Sequence, residues 1–162
     1  MSLTIRRSRP EDVGLILAFI RELAEYERAP DAVVATEDGL AALLFGADPK
    51  VFCDIAEWDG QPAGFCLWFH NFSTWRGRHG LYLEDLFVRP EHRGRGIGRK
   101  LMVLLAKRCV DQGLDRMEWA VLDWNELAIG VYRGVGAEML DDWRICRLTG
   151  EPLRALAATA TA

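Results

Sequence analysis

The sequence predicts an α/β fold: one domain with a mixed, twisted β-sheet flanked by α-helices. Three observations carry that expectation. Short stretches alternating in the strand period are interleaved with segments of helical apolar spacing, in the order β, α, α, β, β, β, α, β, α, β. Asp59-Gly60 stands between two of the strand-like stretches, and this dipeptide favours a tight antiparallel hairpin. Leu81 to Leu105 reads as strand, glycine-spaced loop and helix in immediate succession, and the rest of the chain is arranged around it.

Leu3 to Arg7 is a first strand, with Leu3 and Ile5 alternating against polar neighbours. Ser8-Arg-Pro-Glu11 has the form of a capping box, and Pro10 sits where its missing N–H costs nothing. Val13, Ile16, Leu17, Ile20, Leu23 and Ala24 then mark one face of a helix running to about Tyr26. Burying that face contributes about 10 kcal/mol gross, at roughly 1.5–3 for each large side chain. Thr36 caps a short helix bearing Leu40, Leu43 and Leu44, stopped by Gly46 and Pro49. Strands Val51 to Trp58 and Ala63 to Phe69 flank the hairpin turn, and a loop carrying Trp75 leads into the central strand, Leu81 to Val88. Arg89-Pro90 ends that strand, since proline cannot donate to a ladder.

Leu101, Leu104, Leu105 and Cys109 define the helix after the loop, with Gly113 as its C-cap. Met117 to Leu122 suits a buried strand beside the central one. Asn125 is the N-cap of a helix with Leu127, Ile129, Val131, Tyr132 and Val135, stopped by Gly136, and Trp143 to Leu148 is a last strand closing the sheet. The domain then spans residues 1–150, and the Ala/Thr-rich tail, 151–162, is expected to fray.

Composition removes several classes of function. The net charge of −4 makes the whole molecule a poor polyanion ligand, so no nucleic acid is expected despite the basic run from Arg89 to Lys100. The four cysteines include no C-x-x-C pair and read as reduced thiols, most of them small core residues, which points to the cytoplasm. His70, His79 and His92 lack ligand-like spacing, so no metal is expected. No apolar run approaches the roughly 20 residues of a membrane span.

The loop itself has a chemistry. The first turn of a helix offers unpaired N–H groups and the positive end of its dipole, and Gly94, Gly96 and Gly98 let the backbone come close to a ligand. Arg93, Arg95, Arg99 and Lys100 add positive charge, making a pyrophosphate cradle. A Walker A loop needs Gly-Lys before Ser or Thr, whereas Gly98 precedes Arg99. A dinucleotide fingerprint needs G-x-G-x-x-G, and here the spacing is G-x-G-x-G.

What fits is Arg-x-x-Gly-x-Gly, from Arg93 through Gly96 to Gly98. With the preceding strand it resembles the acyl-coenzyme A loop of the GCN5-related N-acetyltransferase (GNAT) superfamily. Residues 23–27 (LAEYE), 81–88 (LYLEDLFV), 93–98 (RGRGIG) and the run from Trp124 to Ala137 occur together in that order. The set resembles the diamine (spermidine/spermine) and thialysine N-acetyltransferase branch. The resemblance implies a homodimeric enzyme that transfers the acetyl group of acetyl-CoA to the primary amine of a diamine, polyamine or lysine-like amino acid. It implies donor contacts at Leu86, Phe87, Val88, Arg93, Gly94, Arg95, Gly96, Ile97, Gly98 and Arg99, with Asn125 and Tyr132 beside the thiol. On the acceptor side it implies Tyr26, Glu27, Trp75, Glu84, Asp85 and Trp124. One departure stands out: the diamine enzymes carry an aspartate just before the tryptophan matching Trp75, where this chain has Ser73-Thr74. Alternatives are a GNAT acting on protein lysine, an N-terminus or an aminoglycoside, and a non-catalytic CoA-binding module.

The chemistry explains the residue types. An alkyl amine with a pKa near 10.4 is almost wholly protonated at pH 7, and freeing its lone pair costs about 4.6 kcal/mol. Glu84, on the central strand, is the candidate base, directly or through a water. In a regular strand Leu81, Leu83, Asp85 and Phe87 share one face and Tyr82, Glu84, Leu86 and Val88 the other. A bulge, common next to active sites, brings both carboxylates into play. A backbone N–H near Phe87 is expected to meet the developing oxyanion, and Tyr132 to protonate the leaving thiolate. Cys109 faces the sheet, so no acyl-enzyme is expected.

Overall fold

A computed structural model describes residues 2–160. Its strands and α-helices run β1 (Leu3–Arg7), α1 (Val13–Tyr26), α2 (Glu37–Phe45), β2 (Val51–Trp58), β3 (Gln61–Ser73), β4 (Arg78–Val88), α3 (Ile97–Gln112), β5 (Met117–Trp119), α4 (Glu126–Gly134) and α5 (Gly150–Ala157). The chain divides into two compact units, Met1–Asn125 and Glu126–Ala162.

The first unit holds a mixed sheet in the order β1-β2-β3-β4-β5, antiparallel except for the parallel β4–β5 pair. Asp59 and Gly60 close the β2–β3 hairpin with φ of 49° and 77°, the left-handed pair that a two-residue turn requires. One face carries α1 and α2. There Ile16, Phe19, Leu23, Leu44, Cys53, Ile55, Phe65, Leu67 and Phe87 form a continuous apolar core. Phe19 stacks on Phe65 at 5.3 Å and meets Phe87 edge-on at 6.3 Å.

The other face packs on α3, which buries Ile97, Leu101, Met102, Leu105 and Cys109. Beneath that helix Asp54 of β2 is almost fully buried. Its carboxylate accepts from Arg108 of α3 at 2.8 and 3.2 Å and from Trp68 Nε1 at 2.9 Å, with Arg7 of β1 at 3.5 Å. A buried charge is tolerable only when satisfied in this way, and here it ties three strands to one helix.

Several elements differ from the sequence expectation. α1 is opened by a tight turn at Pro10–Asp12, and Asp12 accepts from the Arg9 N–H at 2.7 Å, so no Ser8–Glu11 box forms. Arg6 grips the Asp12 carboxylate at 2.7 and 2.9 Å and holds it below the usual carboxyl range, while the Ser8 N–H bonds the Cys53 carbonyl. β5 stops at Trp119, short of Leu122.

In the second unit Trp143 to Leu148 forms no strand among the described residues, and Trp143 and Ile145 stay 70% and 74% exposed. The alternation is present, but a strand also needs an edge to pair with. The tail folds into α5 from Gly150 to Ala157, with no buried side chain. α4 ends with Gly136 at φ 88° and the Ala137 N–H on the Tyr132 carbonyl at 3.1 Å.

β3 passes unusually close to β4 at Gly64. A Cβ there would lie 2.4 Å from the Phe87 carbonyl oxygen and 3.1 Å from the Val88 Cα, both backbone atoms that cannot swing aside. Gly64→Ala is expected to lower stability by about 1–3 kcal/mol, read as a drop in the urea midpoint. An unchanged midpoint would show that the two strands have room to separate.

Candidate active site

The site begins with one extra residue in β4. Cross-strand partners share a face, and the β3–β4 register pairs Phe65 with Phe87, Cys66 with Leu86 and Leu67 with Asp85, then skips to Trp68 with Leu83. Glu84 has no partner; it is the bulged residue. The alternation therefore resets in mid-strand. Leu81, Leu83 and Leu86 lie with Trp68 and Cys66 on the α3 face, and Tyr82, Asp85 and Phe87 lie with Phe69, Leu67 and Phe65 on the α1 face. This corrects the regular-strand reading, which placed Leu81, Leu83, Asp85 and Phe87 together.

The bulge gathers carboxylates. Asp85 is half-buried, and burial, followed by the charges of Glu84 and of Glu27 at the end of α1, pushes it up to about 7 from the ordinary 3.8. Burial raises Glu27 as well. Burial and then the charge of Glu84 raise Tyr82, which puts that carboxylate within reach of this ring too. Glu84 itself is exposed. The result is one sheltered carboxyl titrating near neutrality between two acidic neighbours.

Beside these carboxylates β4 has a free edge. Its parallel ladder with β5 runs only from Leu81–Met117 to Leu83–Trp119, whereas β4 continues to Val88. The Phe87 carbonyl points at Gly64 and the Arg89 N–H bonds the Ala63 carbonyl, both toward β3. Backbone groups alternate along a strand, so the N–H groups of Leu86 and Val88, and not that of Phe87, face the open edge. Downstream, Gly94 and Gly96 both take φ 74°, and an added Cβ at either would meet only open space. Gly96 is the N-cap of α3, so no side chain covers the helix's first-turn amides from that position. An added Cβ at Gly98 would touch Val88 at 3.8 Å, seating the helix start on the end of β4. A diphosphate fits such a cradle: first-turn amides without a side-chain cap, left-handed glycines and the exposed cations Arg95, Arg99 and Lys100.

A third group of side chains extends from the end of α1. The Tyr26 hydroxyl donates to Asn125 Oδ1 at 3.1 Å, and its ring lies 6.1 Å from that of Trp124. The Arg93 guanidinium covers the Tyr26 ring at 4.6 Å, and its Nε donates to the Val88 carbonyl at 3.0 Å. Glu27, Tyr26, Trp124 and Asn125 thus share one neighbourhood with the glycine loop.

Comparison with known proteins decides the family. Residues 16–137 match the acetyltransferase (GNAT) family model. The chain belongs to the GNAT acetyltransferase family. Over 94% of its length it is 42% identical to a thialysine N-epsilon-acetyltransferase of Bos taurus, 96% of which is covered. It is 33% identical over 94% of its length to an L-ornithine N5-acetyltransferase of Arabidopsis thaliana, with 86% of that protein covered. Among solved structures, an integron cassette protein of V. cholerae superposes with a TM-score of 0.81 at 28% identity, covering 98% of this chain and 99% of that one. An aminoglycoside acetyltransferase at 18% identity and TM-score 0.76, covering 91% and 97%, shares the fold.

Within this GNAT domain most sequence-derived candidates fall into the first unit's site, and two do not. Trp75 lies at the tip of the β3–β4 hairpin, 89% exposed, where the Gly77 N–H bonds the Ser73 carbonyl. Seven strand residues, about 23 Å, separate Arg78 at that tip from Asp85, so the structure does not bring Trp75 to the carboxylates of its own chain. The Ser73-Thr74 departure sits at the same tip and has no direct bearing on them. Tyr132 lies on α4, in the second unit, and is buried.

Arg28 was missed. It closes α1 in the left-handed conformation, φ 63°, with the Ala29 N–H on the Ala24 carbonyl, and its guanidinium stands 4.7 Å over Trp124. No local pattern marks it, since this position usually falls to glycine.

The raised Asp85 has a thermodynamic signature. Between about pH 4 and 7 the folded protein keeps a proton that the unfolded chain has released, so this group's contribution to stability declines as pH rises through that window. Asp85→Asn is expected to melt higher than the parent at pH 8, with the gap closing toward pH 4. A gap independent of pH would mean that Asp85 titrates like an ordinary carboxyl.

Proposed function

We propose that this enzyme acetylates the primary amine of a small, amino-acid-like molecule, taking the acetyl group directly from acetyl-CoA. The observation that carries the reading is the meeting of Glu27, Glu84 and Asp85 beside the open edge of β4. Anionic groups draw in an ammonium cation, and a carboxylate titrating near neutrality can then take its proton at small cost. The names of the relatives support the acceptor class, since thialysine and ornithine are both amino acids with a side-chain amine.

The steps follow from the groups present. The ammonium gives its proton to Asp85, the sheltered carboxyl, with Glu84 beside it. The freed lone pair attacks the acetyl carbonyl, forming the C–N bond, and the carbonyl oxygen gathers charge that a Leu86 or Val88 N–H on the open edge can meet. The C–S bond then breaks as the carbonyl re-forms, and the nitrogen gives its second proton to solvent. The family resemblance assigns the thiolate's proton to the Tyr132 phenol, which solvent then reprotonates. Loop amides from Gly94 to Arg99, with Arg95 and Arg99, would hold the diphosphate. A homodimer is the form the resemblance implies, and the buried free thiols Cys53, Cys66 and Cys109 support a reducing, cytoplasmic setting.

Thiol release measured with thialysine, lysine, ornithine and spermidine tests the acceptor class. kcat/KM for the amino acids is expected to exceed that for spermidine at least tenfold, about 1.4 kcal/mol of transition-state discrimination. A preference for spermidine, or no release with any of these amines, would overturn the proposal.

A further inference from the structure

The resemblance gives Arg93 to the donor, yet its side chain is spent elsewhere. Its Nε donates to the Val88 carbonyl at 3.0 Å. Its face lies 4.6 Å from the Tyr26 centroid and 5.9 Å from that of Phe87, and the residue is half-buried. Tyr26 in turn donates to Asn125 Oδ1 at 3.1 Å and adjoins Trp124. Contacts thus run without a gap from the first residue of the glycine loop to the end of α1 and on to the segment before α4. Arg95 stands 5.0 Å over Trp58 and donates to the Glu91 carbonyl at 3.2 Å, but it is exposed, as are Arg99 and Lys100. Those three exposed cations, unlike half-buried Arg93, can turn toward a phosphate with little packing to break.

We infer that Arg93 is a positioning residue for the amine acceptor: its planar guanidinium clamps Tyr26, and through Tyr26 it sets Asn125 and Trp124. The donor's diphosphate is left to the loop amides and the exposed cations. The inference rests on the acetyl-transfer reading and adds a coupling to it, because the loop that cradles the donor also orders the acceptor wall. Lysine cannot substitute. It keeps the charge but has neither the plane that stacks on a ring nor the Nε that reaches Val88.

Arg93→Lys separates the two roles. Coenzyme A binding by calorimetry is expected to stay within twofold of the parent, while KM for thialysine rises about tenfold, equivalent to about 1.4 kcal/mol. Tyr26→Phe keeps the ring for stacking but loses the bond to Asn125, and is expected to raise the thialysine KM severalfold. The double variant should lose less than the product of the two, since both act through Tyr26. Coenzyme A binding weakened fivefold or more with the acceptor KM unmoved would return Arg93 to the phosphate and overturn the inference. So would equal losses in both, no change in either, or strictly multiplicative effects. The parent enzyme is assayed first: if it transfers no acetyl group, the functional reading fails, whereas transfer by the parent with unsplit constants in Arg93→Lys defeats the inference alone.

Discussion

One inserted residue in β4 governs the arrangement of the site. Without the bulge at Glu84, Asp85 and Phe87 would lie on the face of Leu81 and Leu83, against α3. With it, the strand uses each face twice. Leu81, Leu83 and Leu86 serve the α3 layer, and Phe87 enters the aromatic core with Phe19 and Phe65. Asp85, two residues earlier on the Phe87 face, is therefore held rigidly at the edge of that core. Its elevated proton affinity follows from that placement: a carboxyl beside a packed apolar layer, with Glu84 and Glu27 near, resists ionisation.

Such a site costs stability. Asp54, on the α3 face, is more deeply buried than Asp85, but two arginines and the Trp68 indole satisfy it. The contrast is physical: a buried carboxylate with cations ties the elements together, and one with only other carboxylates near it holds its proton more tightly. The end of α1 supplies the third element. Tyr26 and Glu27 lie side by side at the helix terminus, where one meets Arg93 and Asn125 and the other faces Asp85. Glycine loop, acid cluster and aromatic pair thus converge on a few residues.

Local features were legible in the sequence to the extent that their causes are local. Apolar periodicity located β2 at Val51–Trp58 and the end of α1 at Tyr26, Thr36 capped α2, and Asp59-Gly60 made its hairpin. The glycine spacing at 94–98 identified the loop because φ and backbone access are properties of single residues. What remained hidden depends on partners far along the chain. The facing of Asp85 follows from its register with Leu67, Arg93 meets a ring 67 positions earlier, and Arg28 meets one 96 positions later. Trp143 to Leu148 shows the converse case, in which alternation without a paired edge makes no strand.

In the proposed reaction the bulge-borne carboxylates take the amine's proton, and the pH dependence of kcat/KM tests this most directly. The parent enzyme is expected to gain activity through a limb near pH 7, where Asp85 loses its proton. In Asp85→Asn that limb should vanish and kcat/KM at pH 8 should fall by a factor on the order of 10². The same limb at the same height in the variant would contradict the account, because the proton would then be leaving by another route.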